Sequence, residues 1–183
     1  MSPAPELVAS LEQASLVGDQ QERLRAEMLS FANDQPDALL RTCEAGHFTG
    51  SALVVDAARS RSLLMLHTKA GLWLQPGGHA DGEADLAAVA WREATEETGI
   101  HDLAVVRPAI DLDIHAFRPR VGEPHRHLDV RYLVLAPPGA EIDGNDESED
   151  LRWVSLDEMS EYGVDEGLIR LARRGLALAQ AVE

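Results

Sequence analysis

Glu93, Glu96 and Glu97 sit within one short stretch beside Arg92, and a helix would turn all three acids to one side. At about 100° per residue they fall within an arc of roughly 100°. Like charges three and four residues apart repel, at a few tenths of a kcal/mol per pair, and near a helix C-terminus the dipole also disfavours carboxylates. Arg92 is expected to pair with Glu96 across one turn, but one guanidinium cannot neutralise three acids. A hard divalent cation can. Magnesium and manganese prefer carboxylate and carbonyl oxygens and usually retain waters, a habit suited to chemistry on phosphates. The competing reading is a solvated acidic surface. Leu86, Val89 and Ala90 occupy the same face one or two turns earlier, which puts the acids at the margin of a buried stripe, where they line a cleft.

The elements that would position these acids are written around them. From Asp85 the chain reads D-L-A-A-V-A-W-R-E-A-T-E-E-T and then Gly99, good helix formers closed by a glycine at the expected stop. Pro76-Gly77-Gly78 and Asp81-Gly82 precede it as turn chemistry, and Leu72-Trp73-Leu74-Gln75 leads into the glycine loop as a strand. The order is strand, glycine loop, acidic helix.

This stretch resembles the Nudix box, G-x5-E-x7-R-E-U-x-E-E-x-G-U, where U is aliphatic. With Gly78 as the first glycine, Arg92, Glu93, Glu96, Glu97, Gly99 and Ile100 fall in register. Two positions depart: Ala94 is small where a bulky aliphatic is usual, and Ala84 occupies the first glutamate position, with Glu83 and Asp85 on either side. The resemblance implies an α+β fold, a Nudix-type α/β/α sandwich with a mixed sheet. It also implies metal-assisted hydrolysis of a phosphoanhydride in a nucleoside diphosphate linked to another group. Glu93, Glu97 and Glu96 would then hold Mg2+ or Mn2+, with the Gly77 carbonyl as a further ligand and Arg92 holding the carboxylates in place. The general base is one of these acids or a loop glutamate. Two rivals are a nucleotide-binding sensor that keeps the fold without hydrolysis, and a diphosphate isomerase on the same fold that uses a cysteine.

Residues 1–45 read as a helical extension and 46–183 as the Nudix-like domain. Glu6 to Leu16 and Gln20 to Phe31 carry apolar residues at helical spacing, with a break at Gln35-Pro36. The extension is expected to pack on the core or on a second subunit, consistent with a homodimer implied by the resemblance. Ala52 to Asp56 and Ser62 to His67 read as a hairpin around Arg59-Ser60-Arg61. Leu103 to Arg107 and Asp111 to Phe117 are expected strands, followed by a loop at Pro119 to Pro124. Leu151 to Val154 is a short strand, Ser155 to Glu158 a capping box, and Gly167 to Val182 an amphipathic closing helix.

The strand from about Leu128 to Leu135 alternates, with His125, His127, Asp129 and Arg131 on one side and Leu128, Val130, Tyr132 and Val134 on the other. The polar row admits a zinc site of His125, His127 and Asp129, a solvent-facing row, or a cleft wall in which His127 or Arg131 meets substrate phosphates. Same-face neighbours on one strand lie about 6.5 to 7 Å apart, which counts against zinc. Arg matches phosphate geometry. His79, in the glycine loop, either supports the loop or touches a phosphate, and His47, His67 and His101 read as structural. Glu147 and Glu149, in the acid cluster after Pro137, are candidates for a further ligand or base.

Composition bounds the partners. The 183 residues carry a net charge of −16, which opposes duplex nucleic acid and leaves small phosphorylated nucleotide substrates, whose charge would be met locally. No run approaches the roughly 20 apolar residues needed to cross a bilayer, and a cytoplasmic location is the expectation. Cys43, the single cysteine, has no partner for an internal disulfide.

Overall fold

The computed structural model describes residues 3–68, 70–117, 124–146 and 148–182. Its framework is a seven-stranded mixed sheet. The strands are β1 (His47–Val55), β2 (Arg61–His67), β3 (Leu72–Leu74), β4 (Gly77–His79), β5 (Ala104–Phe117), β6 (His125–Leu135) and β7 (Ser148–Ser155). The main path runs β3-β2-β1-β6-β5, with β4 paired to β1 and β7 to β2. β1 and β6 are parallel in register from His47 opposite His127 to Val55 opposite Leu135, and the other pairs are antiparallel. The helices are α1 (Pro5–Gln13), α2 (Asp19–Asp34), α3 (Leu86–Thr98) and α4 (Glu166–Ala181), with a 3-10 turn at Met159–Tyr162.

Alternation along the central strands divides the core in two. Phe48, Ala52 and Val54 of β1 join Leu128, Val130, Tyr132 and Val134 of β6 in one apolar cluster, under Leu86, Val89 and Ala90 of α3. Leu53 and Val55 join Leu133 on the opposite face, beneath Leu168, Leu171 and Ala172 of α4. A sheet covered on both faces buries both sets of side chains, which is why β6 is buried almost throughout. The α/β/α sandwich with a mixed sheet is therefore the observed architecture.

The α4 face is apolar only in part. Beyond Leu53 and Leu133 the same rows continue as Ser51, Thr49 and His47 on β1 and as Arg131, Asp129 and His127 on β6, and Asp111, Asp113 and His115 of β5 lie opposite the β6 residues. This polar block corrects the expectation of a solvent-facing row, since His127, Asp129 and Arg131 are all buried.

The helical extension shares the first cluster. Leu7, Leu11, Met28 and Phe31 are buried with Phe48 and Leu112. The Gln21 side chain donates to the Leu112 carbonyl at 2.9 Å and accepts from its amide at 2.8 Å, so α2 is bonded directly to β5. Two strand boundaries differ from expectation. β1 begins at His47 because its polar side chains face the polar block rather than solvent, and β5 runs as one strand with a register shift between Val106 and Asp111, where Pro108 cannot donate. The loop expected before Pro124 and the candidate Glu147 lie outside the described residues.

Candidate active site

The acidic helix forms where its capping signals place it. The Asp85 carboxylate accepts from the amides of Ala87 and Ala88, satisfying donors that a helix N-terminus leaves open, and Glu83 accepts from the Asp85 amide at 2.9 Å. Arg107 clasps Asp85 at 2.6 Å and, with its hydrogen bond as the main cause, holds this carboxyl below its ordinary range. Both neighbours of Ala84 thus brace the helix start. At the other end Gly99 takes φ 67°, the left-handed conformation that stops helices at glycine. Asn145 donates to the Glu96 carbonyl at 2.9 Å, and the Asp143 amide to that of Thr98 at 2.9 Å. The loop after Pro137 therefore docks on the last turn of α3.

The three glutamates occupy different environments. Glu97 is buried and accepts from the Gly77 amide at 2.9 Å. Glu93 is half-buried, and its carboxylate lies so close to Gly78 that a Cβ there would collide with it. Glu96 is exposed. Glu93 and Glu97 are thus the pair that brackets the glycine loop. Arg92 does not bridge to Glu96 as expected. It pairs with the adjacent Glu93 at 2.7 Å and donates to the His79 carbonyl at 3.1 Å, so it ties helix to loop. Its hydrogen bond to Glu93 is the largest influence raising its pKa.

Arg131 also departs from expectation. Its side chain is 4% exposed and is held by Asp129 at 2.7 Å, Asp113 at 3.2 Å and Asp111 at 3.4 Å. Burial opposes the charge, but these three aspartates outweigh it and keep the guanidinium protonated. Arg170 reaches in from α4 to Asp111 at 2.8 Å. Asp129 further accepts from Thr49 and Ser51 at 2.8 Å each. A buried pair of this kind, with its hydrogen bonds complete, fixes strand geometry. The guanidinium of Arg131 is engaged by carboxylates within the polar block rather than facing an open cleft.

His127 and His79 come together with residues that sequence reasoning treated as structural. The rings of His47, His79 and His127 lie with centroids 4.8 to 5.1 Å apart. His125 stands 4.8 Å from His47, and His115 stands 5.4 Å from His127. Burial, helped by Arg41 and the neighbouring rings, pushes His79 down to about 4. Burial likewise lowers His47 and, with the surrounding imidazoles, His127. Burial thus favours the neutral form of His47, His79 and His127. The zinc trio considered from sequence included Asp129, whose oxygens are taken by Thr49, Ser51 and Arg131. Spacing along one strand was the wrong measure, because His47 and His115 are the cross-strand neighbours of His127. Neither carried a metal signal in the sequence: His47 lay before the expected first strand and His115 inside another.

Cys43 is 3% exposed, and burial together with Asp37 raises its thiol pKa. A buried neutral thiol is a poor nucleophile, which removes support from an isomerase. Glu149 is exposed on β7. Among the described residues no helix is long and apolar enough to cross a membrane.

Comparison with known proteins adds the following. The profile of the NUDIX domain matches residues 47–174. A CMP-5'-(N-acetyl-N-hydroxy-3-aminopropyl)phosphonate hydrolase of Streptomyces rubellomurinus is 29% identical over 121 residues, covering 61% of this chain and 54% of its own. The chain therefore spans about half the length of that curated relative. A Clostridium perfringens hydrolase of the NUDIX family is 25% identical, with a TM-score of 0.56 over 73% of this chain and 97% of its own. The C. elegans Ap4A hydrolase, in a binary complex, shares the fold with a TM-score of 0.59 at 18% identity, over 74% of this chain and 98% of its own.

Proposed function

The chain belongs to the NUDIX family, and on that premise we propose that it is a metal-dependent hydrolase of a phosphoanhydride bond in a nucleoside diphosphate linked to a second group. The observation that carries this reading is the bracketing of Gly77-Gly78 by Glu97 and Glu93. It holds two carboxylates of one helix face against one loop, a donor set of hard oxygens that suits magnesium or manganese. Glu93 and Glu97 would hold the cation, with Glu96 as the exposed third acid and the Gly77 carbonyl as a further oxygen. When bound, such an ion neutralises phosphoryl charge and acidifies a coordinated water.

The chain's own residues do the positioning. The Gly77 amide fixes the rotamer of Glu97, and Arg92 anchors Glu93 while clamping the loop through the His79 carbonyl. Preorganisation of this kind lowers the cost of reaching the transition state. The relatives named for CMP-linked and Ap4A substrates support a nucleotide carrying a second group as the substrate class.

A mass-spectrometric screen over nucleoside-diphosphate compounds, with Mg2+ and separately with Mn2+, tests the reading. Product formation that falls by orders of magnitude in Glu97→Gln, with the thermal unfolding midpoint retained, is the expected outcome, because glutamine still accepts from the Gly77 amide but loses the charge. Tight nucleotide binding without any product across the panel would replace the hydrolase by a sensor.

A further inference from the structure

We propose that His47, His79 and His127 form a second metal site, for a divalent transition-metal cation of the zinc class, separate from the helix carboxylates. Among the described residues their ligand nitrogens are grouped within 4.8 Å of one another. The three residues come from three neighbouring strands: His47 of β1 lies opposite His127 of β6, and His79 of β4 lies opposite Thr49, two residues along β1 from His47. The backbone therefore sets the trio at the edge of the polar block.

His47 supplies the independent sign of a ligand. It is 2% exposed, and neither of its ring nitrogens meets hydrogen-bond geometry with any described group; the Cys43 backbone acts on the ring, but less than burial does. Buried polar groups are nearly always satisfied, and an orphaned one points to a water or an ion. Arg131 and Asp129 satisfy each other a few ångströms along the same strands, so the block is not generally short of partners. A neutral ring is also the form that binds metal.

The donor chemistry selects the ion. Imidazole nitrogen suits zinc, copper, iron and nickel, whereas magnesium and calcium prefer oxygen. Nitrogens about 2.1 Å from a tetrahedral zinc stand about 3.4 Å apart, so the rings close by at most about 1.4 Å on binding, a small rotation for side chains on fixed strands. Three protein ligands leave a position open, as in sites that also take water or substrate. His115 stands beside His127, ring centroids 5.4 Å apart, with its own Nδ1 engaged by Asp113 at 3.0 Å, so it is not counted among the ligands. The carbonyl of His79 is gripped by Arg92, so the two metal sites share one loop.

The test uses the full, tag-free chain, stripped with a chelator and titrated with Co2+ and Zn2+ in excess Mg2+. Cobalt reports nitrogen coordination through its visible absorption. Wild type and Glu97→Gln should bind one ion with equal affinity. His47→Gln and His127→Gln should each bind at least about 100-fold more weakly, since loss of even an outer partner costs 10- to 100-fold. Unchanged affinity in both histidine variants, or loss only in Glu97→Gln, overturns the proposal. Should the variants not fold, ring NMR of the wild type decides: zinc must shift the His47, His79 and His127 resonances and leave His67 and His101 in place, and any other pattern sinks the site. Because Glu97→Gln removes the first site and spares the second, failure here is distinct from failure of the hydrolase reading.

Discussion

Gly78 carries more of the site than its size suggests. It has no side chain, and the Glu93 carboxylate occupies the place where one would stand. Gly78→Ala should therefore push Glu93 off the loop and lower turnover by at least about tenfold, in the range that small misplacements of catalytic groups cost. The unfolding midpoint should move little, because the displaced carboxylate can turn towards solvent. A kinetic assay beside a thermal melt checks both halves, and an unchanged rate would show that Glu93 does not need its present position. Sequence spacing had already placed Glu93, Glu96 and Glu97 together, since periodicity alone predicts which helix residues share a face. It could not predict that Arg92 chooses Glu93 over Glu96, nor that Arg131 is used up by three aspartates. Those outcomes depend on which strands lie side by side.

Helix α3 is the element that presents the acids, and its start is held by Asp85. Asp85→Ala should cost about 1 kcal/mol through the lost cap, measured by denaturant unfolding. Since Arg107 and the helix amides hold this carboxyl below its ordinary range, its contribution is complete above the unfolded pKa of about 3.9 and is lost as pH falls through the lower native value. The gap between wild type and variant should therefore shrink only under strongly acid conditions, and a gap that closes already at pH 5 would contradict the assignment. The cap, the glycine stop and the helix between them were legible because each rests on local chemistry. Strand β1 was read five residues short at its start, since His47, Thr49 and Ser51 carry no apolar pattern, and a strand that faces a buried polar block looks in sequence like a loop.

At the scale of the molecule, the two N-terminal helices lie outside residues 47–174, which match the family, yet Leu11 is fully buried in the same cluster as Phe48 and Leu112. Leu11→Ala should cost about 2–5 kcal/mol, as for other buried leucines, and should lower the unfolding midpoint of the whole chain in one transition. A separate early transition for the helices would show that they form an independent unit. The sandwich was an expectation carried by the resemblance to the Nudix box, but the neighbourhood of five histidines was not foreseen. Nothing in a linear pattern announces that His47 and His127 are opposite each other.

The pairing of β1 with β6 also governs when the protein becomes competent. Thr49 and Asp129, bonded at 2.8 Å, are 80 residues apart in the chain, and parallel strands joined over such a span close late, because the loop entropy is spent before the contacts repay it. On the ribosome, β1 can pair with β2 and β4 as they emerge, but the edge that takes β6 must wait until β6 has followed. In a refolding experiment the glycine loop and α3 can form early from local signals, whereas the histidine cluster and the aspartate–arginine centre should appear only with the slowest phase that recovers the native state.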